Sequence, residues 1–214
     1  MINKYLLNKI RSEGYPIIIV SFFLSIGLFY FHYIAGFIAL SFNIFSIWFF
    51  RDPNRVVPSL DGIVVSPADG IVVAIDNHPC PDFDLEEDKF TRIGIFLRVT
   101  DVHVNRAPIS GNIEKIVYKE GSFDFAWKKE VFMTNERLSM KINGFIDCVV
   151  SQIAGFVARR IICDVNEKEN LKIGQTYGMI KFGSRTEVYI PKSMKVCIKK
   201  GQTLVAGETI IAKQ

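Results

Sequence analysis

From Gly14 to Phe50 the chain carries no Asp, Glu, Lys or Arg, and His32 is the one basic side chain in a run of Ile, Phe, Leu and Tyr. As a single helix this run would extend roughly 55 Å at about 1.5 Å per residue, well past a hydrocarbon layer of about 30 Å. It has to break, and His32 and Gly36 mark Phe31 to Gly36 as the place. The result is two helices of roughly the minimum crossing length, or a re-entrant hairpin, with both outer ends on one side. Lys4, Lys9 and Arg11 flank one end and Arg51 and Arg55 the other. The positive-inside tendency then predicts a cell-membrane location with both ends, and everything beyond Phe50, on the cytoplasmic face. Trp48, Phe49 and Phe50 read as an aromatic belt at headgroup depth. The rival readings are a cleaved signal peptide and a core helix of a soluble protein. No A-x-A site follows the first apolar run, and a secreted destination leaves the second run unexplained.

Beyond Arg51-Asp52-Pro53-Asn54-Arg55, a turn by its Pro and Asn, the texture changes to short Val/Ile runs separated by Gly, Asp and Asn. This predicts a mainly β fold, a sandwich or barrel-like domain over 51–214 behind a hydrophobic helical hairpin over 1–50. Strands are expected at 62–65, 71–75, 93–99, 113–118, 138–142, 145–153, 160–165, 177–182, 186–190, 195–198 and 209–212. Pro79 to Lys89, with Asp82, Asp84, Glu86, Glu87 and Asp88, reads as a solvated loop. Gly121 to Arg137 mixes aromatic and charged residues and reads as an amphipathic flap or as a connection packed on the core.

The 26 basic and 22 acidic residues form no long run of either sign, which argues against non-specific nucleic-acid binding but leaves anionic lipid or a small acidic substrate. Cys80, Cys148, Cys163 and Cys197 lie far apart with three histidines elsewhere, so reduced thiols are expected and no metal site.

Three segments carry chemistry-bearing residues. Ser66-Pro67-Ala68-Asp69-Gly70 is a turn with an acid in it, and by itself reads as a hairpin in which Asp69 caps its own backbone. Asp101-Val102-His103-Val104-Asn105-Arg106-Ala107-Pro108 follows an apolar strand; in a strand, Asp101, His103 and Asn105 share one face. Lys181-Phe182-Gly183-Ser184-Arg185 follows another apolar strand close to the C-terminus. Together with Phe49-Phe50-Arg51-Asp52-Pro53-Asn54-Arg55 and Asn135-Glu136-Arg137, this ordered set resembles the phosphatidylserine decarboxylase proenzymes, in their short bacterial form. The resemblance runs from about Trp48 to the C-terminus.

The resemblance implies a pyruvoyl-dependent carboxy-lyase that cuts its own chain between Gly183 and Ser184. Glycine offers an unhindered carbonyl, and the adjacent hydroxyl can attack it. Ser184 would become a covalent pyruvoyl group heading an α chain 184–214, with 1–183 as the β chain. The two would persist as a heterodimer, because so short an α chain has no core of its own. The implied reaction turns phosphatidylserine, a membrane phospholipid, into phosphatidylethanolamine and carbon dioxide through a Schiff base to the pyruvoyl, with His103 as candidate proton donor. Arg106, Arg185 or Arg98 are candidates for holding the phosphodiester or carboxylate. Asp69 is the candidate for maturation. Longer relatives have a second histidine, in a triad with that aspartate and the cleavage-site serine, where this chain has Arg106. A guanidinium is no general base, so the base is missing, is supplied by His103, or is replaced by strain and backbone donors. The alternatives are a related serine phospholipid of the archaetidylserine type, a soluble amino acid, or a non-enzymatic membrane-tethered β module.

Overall fold

A computed structural model describes residues 9–85, 87–122, 131–155, 160–181 and 184–214. Its contacts divide the chain into two units, one up to Asn54 and one over Arg55–Gln214.

In the first unit, α1 (Tyr15–Phe31) and α2 (Tyr33–Phe49) form a hairpin that turns on His32, an extended residue at φ −158° and ψ 110°, inside the window expected for the break. A bridge between Ile10 and Arg51 brings the outer ends together. Across it the Arg11 N–H donates to Phe50 O (2.9 Å) and the Asp52 N–H to Lys9 O (2.7 Å). The hairpin is inside out. Ser21, Ser25, Asn43 and Ser46 are buried, while Val20, Phe23, Phe37 and Ile38 are exposed. The Asn43 amide donates across the seam to Ser21 Oγ (2.8 Å) and Ile18 O (2.6 Å). Water would reverse this arrangement; hydrocarbon favours it, because small residues let helices approach and polar groups need partners inside. The segment Ser12–Phe31 is long and apolar enough to cross a membrane, and α2 is a shorter apolar helix. Of the expected aromatic belt, Trp48 is at the surface, with the Arg51 guanidinium 3.8 Å from its ring centroid. Phe49 and Phe50 are buried instead, Phe50 against Gly14.

The second unit is built of strands β1 (Ile63–Val65), β2 (Gly70–Asp76), β3 (Phe90–Leu97), β4 (Val104–Arg106), β5 (Gly111–Lys119), β6 (Arg137–Gly144), β7 (Asp147–Ala154), β8 (Ile161–Cys163), β9 (Asn170–Leu171), β10 (Thr176–Ile180), β11 (Ser184–Pro191), β12 (Lys195–Val196), β13 (Thr203–Leu204) and β14 (Ile210–Lys213), with a single-turn helix α3 (Val131–Thr134). Among the described residues the largest sheet has eight strands in the order β13-β2-β3-β11-β7-β6-β5-β9, beside two three-stranded sheets, β4-β10-β8 and β1-β14-β12. These strand pairings are antiparallel, and an isolated parallel bridge joins Ser122 to Asn135. This is the β-rich architecture read from the Val/Ile runs. The two- and three-residue strands β4, β9 and β13 were not among those expected.

Directly opposed residues of antiparallel neighbours share a face. On one face of the large sheet, Ile93, Ile95 and Leu97 of β3, Val188 and Ile190 of β11 and Val150 of β7 join the main apolar core. The other face carries polar residues, and those are buried too. There the acidic loop departs from its expected solvated state: Asp82 has a fully buried side chain that pairs with Arg137 (2.7 Å) and accepts from Ser139 Oγ (2.6 Å). Cys80, Phe83 and Leu85 of the same loop pack on Val149 and Tyr189. The charges that suggested solvent are in part the partners that let this face be covered. All four cysteines are free thiols. Of the expected flap, residues 123–130 lie outside the described residues.

At Gly36 an added Cβ would lie 2.5 Å from the Phe29 ring. Gly36→Val is therefore expected to weaken the hairpin by about 1–3 kcal/mol, seen as a lower midpoint for loss of helical circular dichroism in a denaturing-detergent titration. An unchanged midpoint contradicts the close approach.

Candidate active site

Strand β11 places the residues after Gly183. Its sequence alternates, with Thr186, Val188 and Ile190 on the core face and Arg185, Glu187 and Tyr189 on the other, and it pairs with β3 on one edge and β7 on the other. Ser184 opens the strand opposite Leu97 and Ala154, on the core face. It is fully buried, and its Oγ has no hydrogen-bond partner among the described residues. A buried hydroxyl left in that state costs about 1–3 kcal/mol. Gly183 and Phe182 lie outside the described residues.

His103 is also fully buried. Its Nδ1 is 3.0 Å from the Asp101 carbonyl oxygen, an acceptor that fixes the ring hydrogen on Nδ1 in the neutral form and gives Nε2 the lone pair. Two connections set its position relative to Ser184. The Ile180 N–H donates to His103 O (3.2 Å), and Ile180 packs with Ala154, the residue directly across from Ser184. Asn105, two residues on from His103, donates to Thr186 Oγ1 (3.2 Å), two residues on from Ser184. These bonds tie the Asn105 side chain of β4 to β11, and the His103 backbone to Ile180 beside Ala154. Asp101 does not share this face in the way a longer strand would require: its carboxylate receives the Arg98 guanidinium and the Arg98 N–H.

Asp69 lies in the turn just before β2. Its carboxylate pairs with Arg55 Nη2 (2.8 Å) and accepts from the Ala206 N–H (2.7 Å). The turn around it is tight: Gly70 has φ +153°, and a Cβ there would lie 2.3 Å from Phe96 O. The turn holds β4, since Pro67 O accepts from the Arg106 N–H (2.8 Å). Arg106 itself donates to Gly174 O (3.1 Å), and its Cδ and Arg55 Cβ both flank Gly207. Asn105 therefore faces β11 and Arg106 faces the Asp69 side.

Arg185 lies on the opposite face of the sheet from Ser184. Its guanidinium lies over Gly94 and donates to Glu187 (2.7 Å). Glu187 also receives Arg92 (3.1 Å) and the Tyr189 hydroxyl (2.7 Å), and Arg92 chelates Asp76 with two bonds of 2.7 Å. A cavity of about 890 Å³ on this side is bordered by Arg92, Arg185, His78, Phe132 and Lys200.

The chain matches the phosphatidylserine decarboxylase family over residues 42–212. It is 44% identical over 205 residues to a protein of Azorhizobium caulinodans, covering 95% of this chain and 88% of that one. With a protein of Wolbachia pipientis wMel it shares 40% over 210 residues, covering 96% and 91%. Both relatives are named phosphatidylserine decarboxylase proenzyme. The chain belongs to the phosphatidylserine decarboxylase family.

Several buried residues around β4 and β11 were not singled out from the sequence. Arg55, expected at the membrane surface, has a buried side chain committed to Asp69. Gln152, Thr186 and Glu187 sit inside apolar strand patterns, where a lone polar residue at a buried position was the available signal.

Burial pushes the Asp69 carboxyl above its usual range, against the opposing pull of Arg55 and the Ala206 N–H. A carboxyl raised in the fold binds its proton more tightly there than in the unfolded chain. Its contribution to stability is therefore largest below about pH 4 and declines as pH rises toward the folded value. In Asp69→Asn that slope is expected to vanish in urea unfolding between pH 4 and 7; an unchanged slope assigns it to other groups.

Proposed function

We propose that this chain is a self-cleaving phosphatidylserine decarboxylase whose pyruvoyl group forms from Ser184. The observation that carries this reading is the buried Ser184 hydroxyl at the head of β11, which has no hydrogen-bond partner among the described residues, in a chain that matches the family over residues 42–212. The fit is chemical. A structural serine there would waste a hydrogen bond, whereas one that attacks the Gly183 carbonyl has a use for a free lone pair, and its conversion to a ketone removes the unsatisfied donor. In the cut, Oγ takes the acyl group from the amide nitrogen, elimination releases Gly183 as a carboxylate and leaves dehydroalanine at 184, and its imine tautomer is hydrolysed by water to the ketone with loss of ammonia. The pyruvoyl supplies the electron sink for loss of carbon dioxide, which no side chain provides.

The remaining work falls to the chain's own residues. His103, with its ring hydrogen fixed on Nδ1, can accept a proton at Nε2 as a base or deliver one as an acid to the α carbon. Asp69 serves maturation by holding, with Arg55, the turn whose Pro67 carbonyl supports β4. Arg106, partly exposed, is the candidate to meet a phosphodiester or carboxylate, while the Arg185 guanidinium is held by Glu187 on the opposite face from Ser184. The α chain 184–214 would remain bound after the cut, since β11 lies between β3 and β7, β14 pairs with β1, and β13 pairs with β2.

The lipid substrate is supported by the hairpin. A two-tailed phospholipid scarcely leaves the bilayer, so an enzyme that acts on its headgroup works at the membrane. The cations at the hairpin ends, Lys9, Arg11 and Arg51, favour the cytoplasmic face of the cell membrane.

His103→Gln is expected to lower conversion of phosphatidylserine to phosphatidylethanolamine in mixed micelles by about 10²–10⁴-fold. Turnover at the wild-type rate removes His103 from the chemistry.

A further inference from the structure

Between the strand that follows His103 and the strand that begins at Ser184 lies a chain of buried amides and a hydroxyl. Asn105, Gln152 and Thr186 are each fully buried. Asn105 Nδ2 donates to Thr186 Oγ1 (3.2 Å), and Gln152 Nε2 donates to Asn105 Oδ1 (2.9 Å) and to Ile162 O (3.4 Å). Gln152 stands directly opposite Thr186 on the neighbouring strand, so one residue of β4 is tied to adjacent positions on β11 and β7. Ile95 of the apolar core stands across from Thr186 on the other edge, and Asn105 Nδ2 also lies 3.5 Å from Pro67 O. Gln152 Oε1 has no partner among the described residues, so the network is incompletely satisfied.

Hydrophobic packing alone does not require such a network. Three apolar side chains of similar shape would cover the same surface without desolvating amides. What hydrogen bonds add is direction: apolar contacts let two layers slide by fractions of an ångström, while a donor aimed at one acceptor fixes the offset. The offset fixed here is that of β4 on β11, which sets where His103 stands relative to Ser184. We propose that Asn105 is a positioning residue, which acts through Thr186 and Gln152 to hold His103 in register with Ser184 for self-cleavage and turnover. The inference rests on the reading of Ser184 given above, and it assigns to Asn105 no contact with substrate.

The test uses the full chain in detergent micelles, with three readouts: the rate of self-cleavage, kcat and KM for phosphatidylserine, and the melting temperature by circular dichroism. Thr186→Val keeps the shape and removes the acceptor; Thr186→Ser keeps the acceptor. The first is expected to slow both cleavage and kcat by roughly tenfold to a hundredfold with KM little changed, and the second to restore both. Thr186→Val leaves the Asn105 amide only the distant Pro67 O (3.5 Å) and could fail to fold, so a triple variant, Asn105→Leu with Gln152→Leu and Thr186→Val, removes the three polar side chains at once. The triple variant is expected to melt near the wild-type temperature and still to cut and turn over slowly. Wild-type rates in the triple variant, or equal losses in Thr186→Val and Thr186→Ser, overturn the positioning role while leaving Ser184 in place. A wild-type chain that makes no cut overturns the reading of Ser184 itself, and this inference with it.

Discussion

Strand β11 is paired on both edges and buried on both faces, and most of the second unit is arranged to make that possible. A strand in that position has no solvent to hide a polar side chain in. Its core face is met by Ile93, Ile95 and Val150, and its other face by Arg92, Ser151 and the loop carrying Asp82. Glu187 is the centre of the second layer, taking Arg92, Arg185 and Tyr189 at once. Charges buried in this way are tolerated because each is paired, and removing one would strand the others. The rigidity matters at the first residue of the strand. Ser184 is held by neighbours on both sides, a setting in which a reacting group is positioned before reaction begins.

The hairpin answers a different solvent. Serines and asparagine turned inward with phenylalanine and isoleucine turned outward would be costly in water, and the seam hydrogen bond between Asn43 and Ser21 has its value in a surrounding that offers no competing donors. The same inversion explains why the apolar run breaks at His32: one extended residue suffices to reverse the chain when the flanking helices can approach through Gly36.

Much of this was legible from residue order. Absence of charge from Gly14 to Phe50 required a break, and the ordered motifs around Asp69, His103 and Ser184 pointed to the family. What escaped was set by partners distant in sequence. The acidic loop at 79–89 looked solvated because a run of carboxylates gives no sign that Arg137 and Ser139 will meet one of them. Arg55 looked like a surface cation for the same reason. Arg185 was grouped with Ser184 by adjacency, yet in a strand adjacent side chains point to opposite faces, and only the registers with β3 and β7 tell which face is which. The shortest strands, β9 and β13, are two residues each and leave no periodic signal.

Arg106 donates to Gly174 O and flanks Gly207 beside Arg55, whereas the Asn105 side chain reaches Thr186 of β11. Self-cleavage at Ser184 is the central claim, and the intact mass of the purified wild-type protein under denaturing conditions addresses it most directly. The account predicts two chains meeting at Gly183 and Ser184, the smaller with a pyruvoyl group in place of its first serine. A single chain of all 214 residues, from a preparation that has had time and membrane mimetic to mature, would contradict it.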